Sequence, residues 1–173
     1  MAVSLYDVSV GTFQQILGSV ANFLEKGLAH CRDKNIDPNE FVEARLHPDM
    51  APLRFQIVSV AHHSAGAIDA LKSGEFRPPS GMGSLDYPAL QALVIDARAK
   101  LKAVAPSDVD DAAGRDVTFR LGDRTIPFTA EGFLLSFSLP NFYFHATTAY
   151  DILRSKGVAI GKRDYLGQMK LKS

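Results

Sequence analysis

The stretch SLPNFYFHATTAYDILRSKG, Ser138 to Gly157, decides how this chain is read. It belongs to a longer run, Gly132 to Tyr150, that carries no formally charged side chain. The run has nearly the length of a membrane span. Ser136, Ser138, Pro140, Asn141, His145, Thr147 and Thr148 interrupt it, however, and a spanning helix needs about 20 predominantly apolar residues. A buried helix of a soluble bundle is the better reading. It is expected to start near Thr129, to end before Gly157 and to kink at Pro140, which frees a carbonyl about one turn earlier. Asn141, His145, Thr148 and Ile152 share one face of that helix.

Working outward, Phe13, Ile16, Leu17, Val20, Phe23, Leu24 and Leu28 recur in steps of three and four, the apolar stripe of a helix from near Ser9 to about Asp33. NIDPNE then supplies turn chemistry, and a short helix is expected over Glu40 to Arg45. A second long helix begins near Pro52 with the stripe Leu53, Ile57, Val60, Ser64, Ile68 and Leu71, and SGEFRPPSGMGS ends it. Ser84 is the expected cap of a third, with Tyr87, Leu90, Val94, Ala97 and Leu101 inward. Between the third and last helices the period changes from helical to alternating. Val117, Phe119 and Leu121, the Gly122-Asp123 turn and Thr125 to Phe128 predict a small β-hairpin. The tail after Gly157 reads as irregular. The sum is an all-α fold: a single domain over residues 1–173, four long amphipathic helices with a hairpin before the last.

Composition bounds the function. Of 173 residues, 46% are hydrophobic and 22% charged, as in ordinary soluble domains. Nineteen basic residues balance nineteen acidic ones, which gives no electrostatic footprint for nucleic acid or an anionic membrane. The one cysteine, Cys31, excludes an internal disulfide framework, and MAVSLYDVSV lacks the layout of a signal peptide, so a cytoplasmic location is the default.

Chemistry rests on five histidines: His30, His47, His62, His63 and His145. At 100° per residue, His63 falls on the flank of the second helix's apolar stripe beside Gln56, Val60 and Ala67, and His62 falls nearly opposite, toward solvent. Asn141 and His145, at i and i+4, have the spacing of helical metal ligands. A histidine on an apolar face is nonetheless more often a hydrogen-bonded core residue than a ligand. His30 reads as a cation at a helix C-terminus, His47 as a loop residue, and Cys31 as a structural or partly exposed thiol without a visible activating environment. Near the end, GKRD places Lys162 and Arg163 beside Asp164; it suits an anion, and a surface ion-pair cluster explains it equally well.

The segments LYD, ARLHPDMAPLRFQIVSVAHH and LPNFYFHATTAYDILRSKGVAIGKRDYLG together resemble a bacterial domain-of-unknown-function family within the DinB/YfiT-like clan of metalloenzymes. The resemblance implies a four-helix bundle with up-up-down-down connectivity, usually a homodimer. In metal-binding members of the clan, one histidine on the second helix joins a His-x-x-x-His pair on the last. Aligning the closing Leu153, Arg154 and Gly157 puts the pair's second histidine on His145 and its first on Asn141; the second-helix histidine corresponds to His63. The clan's three imidazoles are thus two imidazoles and an amide here. An amide oxygen is a much weaker ligand for transition metals than an imidazole nitrogen, which predicts weak, open binding of Zn²⁺ or Ni²⁺.

Two functions follow as expectations. In the first, the protein is a metal-dependent transferase or hydrolase acting on a small molecule, with His63, His145 and Asn141 at the metal and Thr148 and Tyr150 lining the substrate pocket. In the second, it is a non-enzymatic dimeric bundle that has lost the metal and keeps a ligand pocket or an interaction role. A homodimer is expected either way, because the aromatic side chains around Phe137, Phe142, Tyr143 and Phe144 exceed what one inward face holds. Neither nucleic acid nor membrane is an expected partner.

Overall fold

A computed structural model describes residues 3–80 and 83–172; Gly81 and Met82, within the tract read as a helix terminator, lie outside the described residues. The chain is mostly helical. The first long helix spans Val10–Lys34 after a single turn at Leu5–Val8. Its inward residues are those of the predicted stripe: Phe13, Leu17, Val20, Phe23 and Leu24 are fully buried. Asn35 ends it in the left-handed conformation at φ 56°, and its N–H returns to the Arg32 carbonyl. A short helix, Asn39–Val42, follows.

The second long helix is continuous but not uniform. It runs as α-helix over Leu53–Ala61, widens to a π-helical turn over His62–Gly66, and resumes over Ala67–Ser73 before Gly74 closes it at φ 74°. The third, Tyr87–Lys102, is capped by the Asp86 carboxylate, which accepts from the Ala89 N–H at 2.9 Å; the cap is Asp86 rather than Ser84. Tyr87, Leu90, Val94, Ala97 and Leu101 are all buried, and the Tyr87 hydroxyl donates to the Leu24 carbonyl at 2.8 Å. Pro106–Asp110 forms one further turn.

Asp116–Leu121 and Arg124–Thr129 pair antiparallel about Gly122-Asp123, with Gly122 at φ 58° as a tight hairpin turn requires. A third strand was not expected: Glu75–Phe76 pairs parallel to the hairpin, Glu75 opposite Thr118 and Phe76 opposite Phe119. The small sheet lays Phe76, Phe119 and Phe128 over Phe133 and Phe137 of the last helix, with ring centres 4.8–6.1 Å apart.

Thr129 caps the last helix by accepting from the Gly132 N–H. Here too the winding changes, from Ala130–Gly132 through a π-helical segment, Phe133–Ser138, to Leu139–Ser155. The π segment was not expected; it ends just before Pro140, where a kink is expected from the sequence. The second helix packs against the last, the first against the third, and Phe142 meets Phe13 edge-on at 4.9 Å. The tail is not wholly irregular: Lys162–Leu166 is helical and packs on the first long helix.

Among the described residues, no helix is long and apolar enough to cross a membrane. The aromatic cluster proposed for a subunit contact divides. Phe142 is fully buried in the core and Phe137 half-buried under the sheet, whereas Tyr143 and Phe144 are exposed.

Candidate functional site

His63 and His145 come together between the second and last helices, their ring centres 5.9 Å apart and their planes 18° from parallel. Both are buried. Phe76 and Phe137 flank His63, and Phe55 and the exposed Phe144 flank His145, so aromatic rings stand beside both imidazoles. Two imidazoles bound to one ion, each nitrogen about 2.0–2.1 Å from it, keep their centres within about 6.4 Å. The observed separation satisfies that limit.

His145 is held by a residue that the sequence showed without its role. Gln56, 2% exposed, donates through Nε2 to the Ala51 carbonyl at 2.8 Å, which leaves Oε1 facing His145 Nδ1 at 2.7 Å. An amide oxygen only accepts, so Nδ1 of His145 carries the proton and Nε2 keeps its lone pair. Metal-ligating histidines are commonly oriented by such a bond to the other ring nitrogen. The available signal was a lone amide in an apolar stripe two turns before His63, since a buried polar group requires a partner.

His63 has the opposite character. Its Nδ1 is buried and has no hydrogen-bond partner among the described residues. Burial first, then the neighbouring His62 and His145, pushes its pKa down to about 3. Burial alone lowers His145 to about 4. Both rings are therefore neutral at pH 7, the state in which imidazole is a ligand.

The remaining candidates are placed as follows. Asn141 is half-buried, and its Nδ2 donates to the Phe137 carbonyl at 2.7 Å, so only its oxygen is available to a ligand. Thr148 is buried with its hydroxyl donating to the Phe144 carbonyl at 2.8 Å. Tyr150 packs against Phe23 and Tyr165, away from the imidazole pair. His62 is not the solvated residue its helical position predicts. Phe76 stacks on it at 4.3 Å and its Nε2 donates to the Arg77 carbonyl at 2.6 Å, because the segment after Gly74 folds back to join the sheet. His47 pairs with Asp49 in an exposed loop. Cys31 is fully buried, and burial, Glu40 and Asp37 raise its pKa, the reverse of an activated thiol. Among the described residues, no group of three or more His, Cys, Asp or Glu side chains is arranged to hold a metal.

No curated protein matches the chain. Among solved structures, a DinB family member protein from Shewanella denitrificans is similar, with a TM-score of 0.81 and 25% sequence identity over 98% of this chain and 95% of that one. Residues 5–166 match the family described as Domain of unknown function (DUF1993), and the chain, with its buried imidazole pair and DinB-like fold, belongs to that family.

Proposed function

We propose that His63 and His145 form a weak site for a divalent transition metal, Zn²⁺ or Ni²⁺, with the Asn141 oxygen as a poor third ligand, in an enzyme of the transferase or hydrolase type acting on a small molecule. The observation that carries this reading is the pairing of a buried, partnerless Nδ1 on His63 with a His145 ring oriented by Gln56. An unpaired buried polar atom costs roughly 1–3 kcal/mol, and a bound ion or ligand group removes that cost. The metal would supply Lewis acidity, lowering the pKa of a bound water or thiol. The chain's own contribution is to keep both imidazoles neutral, to fix the tautomer of His145, and to limit the access of bulk water with Phe55, Phe76 and Phe137. The up-up-down-down four-helix arrangement and the homodimer are part of the same proposal. Leu135, Tyr143 and Phe144, 48%, 41% and 59% exposed on the last helix, are the surface for a second copy.

One observation favours the second reading, a dimeric bundle without metal or catalysis: the Asn141 amide is already engaged by its own helix. Calorimetry on metal-free, untagged protein separates the two. The metal reading expects measurable zinc or nickel uptake, its loss in His145→Ala, and about tenfold or greater tightening in Asn141→His, which adds the third imidazole. No gain for Asn141→His overturns it.

A further inference from the structure

A second site is independent of the imidazole pair and shares no residue with it. A cavity of about 690 Å³ lies between the first long helix, the end of the third and the C-terminal segment. Its size is that of a site for a small organic molecule. The floor is one face of the first helix, on which Gly11 and Gly18 alternate with glutamine, serine and asparagine side chains. A Cβ on Gly11 would stand 3.2 Å from Lys170 Nζ, and one on Gly18 3.5 Å from the Arg98 guanidinium. The two cations therefore rest over bare backbone, brought there from opposite walls.

Charge singles out the cavity further. Arg98, Lys102, Arg163 and Lys170 line it against one carboxylate, Asp164. That carboxylate is engaged already: Lys26 contacts it at 2.6 Å, the Gly161 N–H and Asn22 also donate to it, and the Lys26 bond leads in holding its pKa below the ordinary range. Among the described residues, none of the four lining cations forms an ion pair or a side-chain hydrogen bond. The chain as a whole has no net charge, so this is a local concentration of uncompensated positive charge. A cleft with low-dielectric walls focuses such a field. The neutral groups add a second requirement. Gln14 donates through Nε2 to the Leu101 carbonyl at 3.2 Å and Gln15 to the Leu166 carbonyl at 2.8 Å, which leaves both amide oxygens as acceptors for ligand hydroxyls.

We propose that this cavity binds a small hydroxylated polyanion, a phosphate ester or a polycarboxylate. Its anionic groups lie among Arg98, Lys102, Arg163 and Lys170, and its hydroxyls reach Gln14 and Gln15. The test is calorimetry on the full chain at low ionic strength with ribose 5-phosphate, citrate and, as the uncharged control, ribose. One anion per chain is expected, with affinity that falls as salt rises. Stronger binding of ribose 5-phosphate assigns a phosphate ester, and stronger binding of citrate a polycarboxylate. Arg98→Gln and Lys170→Gln should each weaken binding about tenfold, the loss of one charge-assisted contact. Arg124→Gln, on the hairpin, should leave it unchanged. The proposal is overturned if neither anion binds at millimolar concentration, if ribose binds as well as its phosphate, or if Arg124→Gln weakens binding as much as Arg98→Gln.

Discussion

Acidification from pH 7.5 to pH 5.0 should cost this protein much of its stability, and the two inner histidines set the amount. In the folded state their pKa values are about 3 for His63 and about 4 for His145, against 6.5 for an unperturbed ring. A depressed histidine pKa means that the unfolded chain binds more protons than the native one below pH 6.5. Stability is therefore full above that value and declines as pH falls toward the folded pKa. At pH 5.0 each ring is still neutral when folded and is about 1.5 units below its unfolded pKa, worth about 2 kcal/mol at 1.36 kcal/mol per unit. Together they account for roughly 4 kcal/mol, out of a total that is typically 5–15 kcal/mol. His62, also lowered by burial, acts in the same direction. The assay is urea unfolding followed by circular dichroism, since the chain has no tryptophan. The control is His63→Leu/His145→Met. Loss of the Gln56 partner lowers that variant's stability at every pH, which is an offset, while the slope between pH 7.5 and 5.0 should flatten by most of those 4 kcal/mol. A wild-type midpoint that does not move over this range refutes the reasoning, as does a double variant with the wild-type slope.

Gln56→Leu should destabilise by roughly 1–3 kcal/mol, because it strands the Nδ1–H of His145 in a buried position; Gln56→Glu should instead raise the His145 pKa, read from its ring resonances by NMR. Gly27→Ala should cost about 1–3 kcal/mol in the same urea assay, since the new Cβ would stand 2.3 Å from the Tyr87 hydroxyl oxygen. Adding Tyr87→Phe removes that oxygen, so the double variant should be more stable than the sum of the single effects predicts.

Legibility differed between elements for physical reasons. The inward face of the third helix was readable because Tyr87, Leu90, Val94, Ala97 and Leu101 follow the helical period without interruption and all five are buried, whereas its cap is Asp86 and not Ser84. The hairpin was readable because Gly122-Asp123 sits between alternating residues, and Gly122 takes the positive φ that the turn needs. Glu75–Phe76 was not, since a two-residue strand is defined by its partner and has no period of its own. Its consequence, the stacking of the half-buried His62 on Phe76, was hidden for the same reason. The inward placement of His63 and His145 was legible from helical faces and their meeting from the family resemblance, but the role of Gln56 was not legible, because a side chain seven residues from His63 in sequence bonds across to His145 on another helix.

The two π-helical segments explain why the environment of the pair resists a helical wheel. They lie on the two helices that carry the histidines, and the Ser138 hydroxyl joins them by donating to the His63 carbonyl at 2.8 Å. A wider turn disturbs the regular backbone ladder, and short polar side chains supply additional donors to its carbonyls. Ser64 donates to the Val60 carbonyl at 2.7 Å, Ser136 to that of Gly132 at 2.5 Å, and Asn141 to that of Phe137 at 2.7 Å. In sequence Ser136 reads as an ordinary polar position, Ser64 as a member of the inward stripe and Asn141 as a ligand candidate, and none of the three shows its bond back, because a serine or asparagine in a helix faces solvent as often as it bonds back. Asn141 thus has a local task that is separate from any ligand. An imidazole there would exchange the bond to Phe137 for a metal-binding nitrogen, so Asn141→His should lose about 1 kcal/mol of metal-free stability while it tightens metal uptake. A gain in affinity without that loss would show that the Asn141 bond does not support the π segment.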